Sequence, residues 1–222
     1  KGIAASRQVD PRHGVPTFLW GADATRALRL QGRSVTTKAG LDDEAAARAH
    51  LADLADVYRI DSGEIAALPV RNRQRLANGG AIVRFAGRVD GIEVFREQAN
   101  VLLSRDGSLV AIGGFVMGAP SDAKRTVDAF VLDMPRAAAI ALADYRFPAT
   151  VNAQMRTRDG AGGYTLLALP ADATSTDDSA LAAPIRSKRV WFRLGSELVP
   201  AYYVEVQVRD GTSRRQIDSY AY

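Results

Sequence analysis

The two histidines are the first residues to test for chemistry, because imidazole can act as acid, base or metal ligand. His13 lies beside Gly14 and His50 lies between Ala49 and Leu51, and no glutamate follows either one in the metalloprotease arrangement. The chain of 222 residues contains no cysteine, which excludes thiol catalysis, disulfides and thiolate zinc sites. We therefore interpret His50 as a partly buried or surface histidine within a helix and His13 as a loop residue, and we assign no metal ligand and no cofactor to this chain.

Acidic and hydroxyl side chains also lack a catalytic arrangement. The acidic pairs Asp42/Asp43 and Asp177/Asp178 fall in positions typical of helix caps and turns, where aspartate bonds to the local backbone. No Gly-x-Ser-x-Gly sequence occurs, so no serine has the context of a nucleophile elbow. The sequence predicts a binding module and no catalytic residue, and an enzyme is the least supported class.

A segment of alternating arginines raises the possibility of nucleic-acid binding. Arg71, Arg73 and Arg75 alternate with polar residues, and the isoelectric point is about 9.6. However, the net charge is only +4, no aromatic side chains are interleaved for base stacking, and acidic residues are close by. A solvated face is the favoured interpretation, and we predict no nucleic-acid partner.

The composition of the chain is typical of a globular protein. Apolar residues make up 47% and charged residues 24% of the sequence. No apolar run approaches the roughly 18 residues of a membrane span, so no membrane partner is predicted. The first residues, Lys1-Gly2-Ile3, lack the layout of a signal peptide.

Residues 81–117 have the pattern of an antiparallel meander. Short runs at 81–86, 92–95, 99–103 and 108–116 are separated by turns, with Asp-Gly at positions 90–91 and 106–107. An alanine-rich helix is predicted before them, from Leu41 to Tyr58, capped by Asp42 or Asp43 and ended by Asp61-Ser62-Gly63.

The same order returns in the second half of the chain. Asp133 is predicted to cap a helix with Pro135 in its first turn, and Ala138, Ile140, Ala141, Leu142 and Tyr145 supply its apolar surface. Strands are expected at 151–156, 164–170, 188–194, 198–208 and 214–222, with a polar loop at 171–183.

The fold class predicted from these patterns is α+β, with two related tandem units in which a helix packs on an antiparallel β-sheet. We place an extended N-terminal segment at 1–40, the first unit at 41–118 and the second at 119–222. Alternation puts Trp191 and Phe192 on opposite faces of one strand, and Tyr202 and Tyr203 on opposite faces of another. One member of each pair is expected in the core and the other is a candidate contact residue.

The helix at 41–58 and the hairpins at 83–95 and 104–114 together resemble the propeptide domain of fungalysin and thermolysin proteases. In that family an alanine-rich helix precedes a hairpin like Val89-Asp90-Gly91-Ile92-Glu93-Val94-Phe95 and one like Asp106-Gly107-Ser108-Leu109-Val110. The helix at 137–144 and the strand Leu198-Val199-Pro200-Ala201-Tyr202-Tyr203-Val204-Glu205-Val206 are similar to the PepSY-type second half of such propeptides. The first strand departs from the family pattern at Ala86-Gly87.

The resemblance implies the N-terminal propeptide of a secreted or periplasmic fungalysin-like zinc metalloprotease. Such a segment would be non-catalytic, would serve as folding template and inhibitor, and would bind the catalytic domain across its active-site cleft by steric blockage and strand pairing. The full-length precursor would be a zinc metalloendopeptidase. Arg84, Trp191 and Tyr203 are our candidate protease contacts. The alternative is a free-standing periplasmic inhibitor or signalling module of the PepSY type.

Overall fold

The computed structural model describes residues 8–33, 38–119, 130–147, 151, 155–169 and 180–209, and the backbone of 217–221. The α+β class is confirmed, because helices and antiparallel strands both occur. The chain divides into two compact units. The first unit comprises Lys1–Ala123 with Arg193–Leu198, and the second comprises Lys124–Phe192 with Val199–Tyr222. The boundaries expected from sequence, and the relatedness of the two units, remain predictions.

The first unit is an antiparallel sheet covered by helices. Its strands are β1 Gln8–Val9, β2 Pro16–Trp20, β3 Val70–Arg75, β4 Ala81–Val89, β5 Ile92–Leu103 and β6 Leu109–Phe115. Its helices are α1 Gly21–Leu30, α2 Asp43–Asp53, α3 Ala55–Tyr58 and α4 Ser62–Ala67. The strand order within this unit is β1-β2-β6-β5-β4-β3, with every neighbouring pair antiparallel.

The predicted helix at 41–58 is confirmed as α2 followed directly by α3. The Asp42 carboxylate accepts a hydrogen bond from the Ala45 amide at 2.8 Å, which satisfies one of the free amides at the start of α2. The side chains predicted to share its apolar face are all buried. They are Ala47, Leu51, Leu54 and Tyr58.

The β4–β5 hairpin has the tight turn that its sequence predicts. Asp90 and Gly91 both have positive φ, at 49° and 77°, as a two-residue type I′ turn requires. The expected separate runs at 92–95 and 99–103 were wrong, because residues 92–103 form the single strand β5. Arg96, with φ of 61°, bends that strand without ending it.

Two helices of the first unit were not predicted. Residues 1–40 were expected to be extended, yet Gly21–Leu30 forms α1 immediately after β2. Asp61-Ser62-Gly63 was expected to end a helical region, but Asp61 begins α4. Its carboxylate accepts from the Glu64 amide at 2.7 Å, and the Glu64 carboxylate accepts from the Asp61 amide at 3.0 Å, which is a capping box.

One face of the sheet and the helices enclose the core of the first unit. The sheet contributes Val83, Phe85, Val101 and Ile112, all 0% exposed, which pack with the buried α2 and α3 side chains. Full burial of each such large side chain contributes roughly 1.5–3 kcal/mol. The alternate residues of the same strands therefore lie on the opposite face of the sheet.

The second unit contains one helix and six strands among its described residues. These elements are α5 Met134–Ala143, β7 Arg156–Asp159, β8 Thr165–Ala168, β9 Ala180–Leu181, β10 Ile185–Leu194, β11 Glu197–Arg209 and β12 Ile217–Ala221, with a 3₁₀ turn at Ala161–Gly163. β7 pairs with β8, β8 with β10, and both β9 and β12 with β11, all antiparallel.

Helix α5 begins as its sequence predicts. The Asp133 carboxylate accepts from the Arg136 amide at 2.8 Å, and Pro135 occupies the first turn. Ala138, Ala141 and Leu142 are buried, but Ile140 is 58% exposed, so its predicted place on the buried face was wrong.

The strand predictions for the second unit are met in part. A strand was expected at 151–156, but β7 begins only at Arg156, and residues 152–154 lie outside the described residues. Residues 171–179 of the predicted polar loop also lie outside them, and residues 180–181 form β9. Across the described part of the chain, no helix has the length and apolar character needed to cross a membrane.

Candidate functional site

Arg84, the first of the predicted contact residues, lies on the face of the first unit's sheet opposite the one that packs on the described helices. Strand register aligns a row of side chains across five strands on this face, in the order Asn72, Arg84, Asn100, Gly113 and Phe18. Directly opposed residues of antiparallel strands share a face, so these five positions form one line. Arg84 is exposed at the centre of β4.

A second row lies two residues further along each strand. It runs from Gln74 through Ile82, Leu102 and Ala111 to Trp20. Ile82 and Leu102 are half-buried, whereas Trp20 is 48% exposed. We call these two rows together the outer face of the first unit; it combines apolar and amide side chains around one exposed cation.

Two aromatic rings pack against each other at one end of the outer face. The rings of Phe18 and Trp20 pack edge-to-face with centroids 4.9 Å apart. The neighbouring positions on β6 are Gly113, which has no side chain, and Ala111, which has only a methyl group. An exposed tryptophan held by a second ring is typical of an interface anchor, because it presents a large apolar area at little entropic cost.

Arg84 is held in place by its neighbours on the outer face. Its Nε donates to the Asn100 Oδ1 at 2.7 Å, and the Asn100 Nδ2 donates to the Gly113 carbonyl at 3.2 Å. This chain of bonds uses one of the five N–H donors of the guanidinium. The arrangement orients the side chain before any partner binds, which lowers the entropy cost of binding.

The alternating arginines of β3 are matched by acidic side chains of the same unit. The pairs are Arg71 with Glu93, Arg73 with Glu44 at 3.4 Å, and Arg75 with Asp43 at 3.0 Å. Each arginine therefore has a counter-charge within the same unit, which weakens the electrostatic attraction between these arginines and the phosphates of a nucleic acid. This pairing supports the interpretation of the segment as a solvated face.

Trp191, the second predicted contact, is 1% exposed. Alternation correctly separates it from Phe192, which is 37% exposed, but Trp191 is the inward member of that pair. Its ring lies 5.7 Å from that of Phe130, which also packs against Tyr202 at 5.5 Å. A side chain buried to this extent cannot meet a partner without rearrangement, so its expected place on an outer face is corrected.

Tyr203, the third predicted contact, belongs to a cluster of aromatic and basic side chains in the second unit. Its ring packs against that of Tyr164 at 6.2 Å, with the Lys188 ammonium 5.7 Å from the Tyr203 ring and 4.8 Å from the Tyr164 ring. The Arg186 guanidinium lies 4.2 Å from the Tyr164 ring and 3.0 Å from the Glu205 carboxylate. Tyr203 is half-buried, so part of its surface remains available to a partner.

His50 is 2% exposed, so it is more buried than the partly buried or surface position expected from the sequence. Its Nε2 lies 2.8 Å from the Gly107 carbonyl, and because a carbonyl only accepts, this nitrogen carries the proton. Burial lowers the pKa of His50 below its ordinary value of 6.5, although the bond to Gly107 acts in the opposite direction. The neutral ring therefore ties α2 to the β5–β6 turn near neutral pH.

The described residues contain no group of three or more metal-ligating side chains that could hold an ion. Asp106, in the β5–β6 turn, illustrates how the acids are used. Hydrogen bonds from the Ser104 hydroxyl and the Ser108 amide hold the pKa of Asp106 below its usual value, as expected for a carboxylate that stabilises a turn.

Comparison with known proteins finds a family match within the first unit. Residues 66–115 match the family model described as the Fungalysin/Thermolysin Propeptide Motif. The match runs from the end of α4 to the end of β6 and includes Arg84 and Asn100. It identifies this part of the chain as a fungalysin/thermolysin propeptide region, and that motif is non-catalytic.

Among solved structures, the similarity is weak. The Bacillus megaterium YpeB C-terminal domain is 11% identical to this chain, with 95% of this chain and 80% of that chain covered and a TM-score of 0.30. No curated protein matches the sequence significantly.

Proposed function

We propose that this chain is the propeptide of a secreted fungalysin-like zinc metalloprotease and acts as its intramolecular chaperone and inhibitor. The observation that carries the proposal is the propeptide motif at residues 66–115. A propeptide motif implies association with a protease catalytic domain, and the zinc ion belongs to that domain. The absence of a thiol in this chain means that inhibition does not use cysteine on zinc, so docking over the cleft is the mechanism we propose.

Docking explains both activities by one free-energy argument. A partner that binds the native protease and not its unfolded chain stabilises the native state by mass action, by about 2.7 kcal/mol at a hundred times the dissociation constant. If the same contacts form in the folding transition state, folding is faster as well. A body that lies over the active-site cleft also excludes substrate until it is removed.

The outer face of the first unit is the docking surface that we propose for the catalytic domain. It lies within the matched motif except for the β2 residues, and it presents the Phe18–Trp20 pair beside the oriented cation of Arg84. In the described residues β3 pairs with β4 alone, so the other edge of β3 has no strand partner there. Strand pairing at that edge would extend the contact without disturbing the core.

The second unit offers Tyr203 as a further contact. The tyrosine has an apolar ring and a hydroxyl, and part of its surface is exposed. Such a side chain suits a mixed apolar and polar patch on a protein partner.

Inhibition of the cognate mature metalloprotease by this chain tests the proposal. We expect inhibition in the micromolar range or tighter, measured as loss of hydrolysis of a fluorogenic peptide, with competitive dependence on substrate. Trp20→Ala and Arg84→Glu should each weaken inhibition about tenfold or more, because each removes an exposed anchor of the outer face. Arg105→Glu makes the same charge change in the exposed β5–β6 turn and serves as the matched control, with a change of less than about twofold.

The outcomes separate the two parts of the proposal. If the unaltered chain does not bind the protease at micromolar concentration, the propeptide role is refuted. If it inhibits, but Trp20→Ala and Arg84→Glu inhibit as well as Arg105→Glu, the outer face is not the docking surface.

A further inference from the structure

A buried ion pair joins two parts of the first unit that are far apart in sequence. The Arg193 guanidinium donates from Nε to the Glu97 carboxylate of β5, and from Nη2 to the other carboxylate oxygen at 3.4 Å. The two residues are 96 positions apart. Their side chains are only 5% and 3% exposed.

Backbone groups complete this network. Arg193 Nη2 also donates to the Gly118 carbonyl at 3.2 Å, and the Met117 amide donates to the Glu97 Oε2 at 3.2 Å. The carboxylate and the guanidinium each therefore have two kinds of partner. A buried pair is tolerated only when its remaining hydrogen-bonding capacity is used in this way.

The Glu97 side chain lies against Gly87 of β4, where the lack of a side chain leaves room for it. A Cβ added to Gly87 would lie 2.7 Å from the Glu97 Cβ and 3.1 Å from its Oε2, which is closer than real contacts allow. The strand register also shifts between Ala86 and Arg88 at this point. The β4 strand is thus shaped around the acidic side chain.

The segment 193–198 buries few side chains in the first unit. Arg193 is its one buried residue, whereas residues 194–197 are exposed and Leu198 is half-buried. Leu194, the large apolar side chain next to Arg193, is 63% exposed. Apolar burial of residues 194–197 therefore contributes little to the place of this segment in the first unit, and the ion pair is the buried side-chain interaction that the segment makes there.

We propose that residues 193–198 are a latch that completes the first unit, and that the propeptide-motif unit is not stable without the guanidinium of Arg193. Without it, Glu97 is a buried carboxylate facing the Met117 amide with no counter-charge, which is strongly unfavourable. The unit that carries residues 66–115 consequently reaches its native state only after the chain as far as the latch has been made. This inference does not depend on the identity of the partner.

Stability of the full chain, measured by urea unfolding, tests the latch. Arg193→Met is expected to lower the folding equilibrium constant by about a hundredfold or more, as is typical when one member of a buried pair is removed. Arg186→Met is the matched control, because Arg186 lies on the same strand and pairs with Glu205 at the surface, with 45% and 24% exposure. Loss of that exposed pair should change the constant by less than about fivefold.

Hydrogen exchange locates the effect. In Arg193→Met, the amide of Met117 and the amides of β5 should exchange faster than in Arg186→Met, although the substitution lies far away in sequence. Equal destabilisation by the two substitutions, or faster exchange confined to residues 185–209, would overturn the latch.

A paired substitution keeps the test decisive if Arg193→Met does not fold. Glu97→Met combined with Arg193→Met removes both charges, so the double variant should fold better than Arg193→Met alone. A double variant that is no more stable than the single one would contradict the proposed role of the unpaired carboxylate.

Discussion

Arg48 joins α2 to the end of α4, and its replacement by methionine gives a quantitative test of the first unit. Its Nη1 donates to the Ile65 carbonyl at 2.6 Å and its Nη2 to the Leu68 carbonyl at 2.8 Å, which are backbone acceptors at the end of the short helix. The Glu44 carboxylate accepts from the Arg48 guanidinium at 2.8 Å, and the Cζ of Arg48 lies 4.9 Å from the Phe85 ring centroid. The side chain thus caps one helix from another.

The expected cost of Arg48→Met follows from these bonds. Hydrogen bonds to charged groups contribute roughly 1.5–3 kcal/mol each, so two short ones give about 3–6 kcal/mol before correction. The Arg48 side chain is 23% exposed, so water can replace part of what is lost and the estimate is about halved, to ~1.5–3 kcal/mol. Methionine retains most of the packing on Phe85, which limits the loss to the polar contacts.

Urea denaturation of the full chain, monitored by circular dichroism, measures this cost as a shift of the unfolding midpoint, provided that the dependence of the free energy of unfolding on urea concentration is unchanged. Arg48→Lys should lose about half as much, because one ammonium cannot reach both carbonyls. Arg29→Met, an exposed arginine in the last turn of α1, is the control and should change stability by less than about 0.5 kcal/mol. An effect of Arg48→Met no larger than that of Arg29→Met would refute the capping role.

Three further predictions concern other interactions. The pKa of His50 is lowered in the folded state, so the unfolded chain binds a proton more readily, and the free energy of unfolding should fall as pH decreases from about 7 through 6.5. Urea midpoints measured at each pH should decline less steeply in His50→Gln than in the unaltered chain. Equal slopes would contradict the argument that burial lowers this pKa. Gly21→Ala should cost about 1–3 kcal/mol in thermal unfolding, because its Cβ would lie 1.9 Å from the Leu109 carbonyl oxygen; a neutral effect would show that α1 shifts freely. Asp133→Ala should cost about 1 kcal/mol by loss of the α5 cap, whereas Asp133→Asn should retain most of it, and equal losses would exclude capping.

Helix caps and a tight turn were the parts of the fold that could be predicted from the sequence. Asp42 and Asp133 cap the helices that were expected from them, and the Asp90-Gly91 turn forms as its residue types require. Each of these features depends on a few neighbouring residues. The capping box of Asp61 and Glu64 had an equally local pattern, but the glycine next to Ser62 was taken as a stop signal.

Features set by tertiary packing could not be predicted. Helix α1 follows Trp20 with no side-chain cap and begins at Gly21 against the β6 backbone, so no local signal marks its start. Alternation separates Trp191 from Phe192 but does not say which face will be covered. The same limit applies to Ile140 on α5.

The most consequential contacts of the candidate sites join distant residues. Glu97 and Arg193 carry no motif, and nothing in either local sequence indicates that they will meet. The outer face likewise becomes visible only when strand register aligns Phe18 and Trp20 with Arg84. Its arginine was named from sequence, whereas its aromatic pair lies in the segment 1–40, for which only an extended conformation was expected.

Refolding of the denatured catalytic domain is the most direct measurement of the central claim. The cognate metalloprotease domain is diluted from denaturant into buffer that contains zinc and increasing amounts of this chain. Before the activity assay, this chain is removed by dilution or digestion, because it also inhibits the protease. The recovered protease activity should appear faster and in higher yield as more of this chain is added. Arg105→Glu should assist equally well. Recovery that is the same with and without the chain would contradict the assignment of this protein as a protease propeptide.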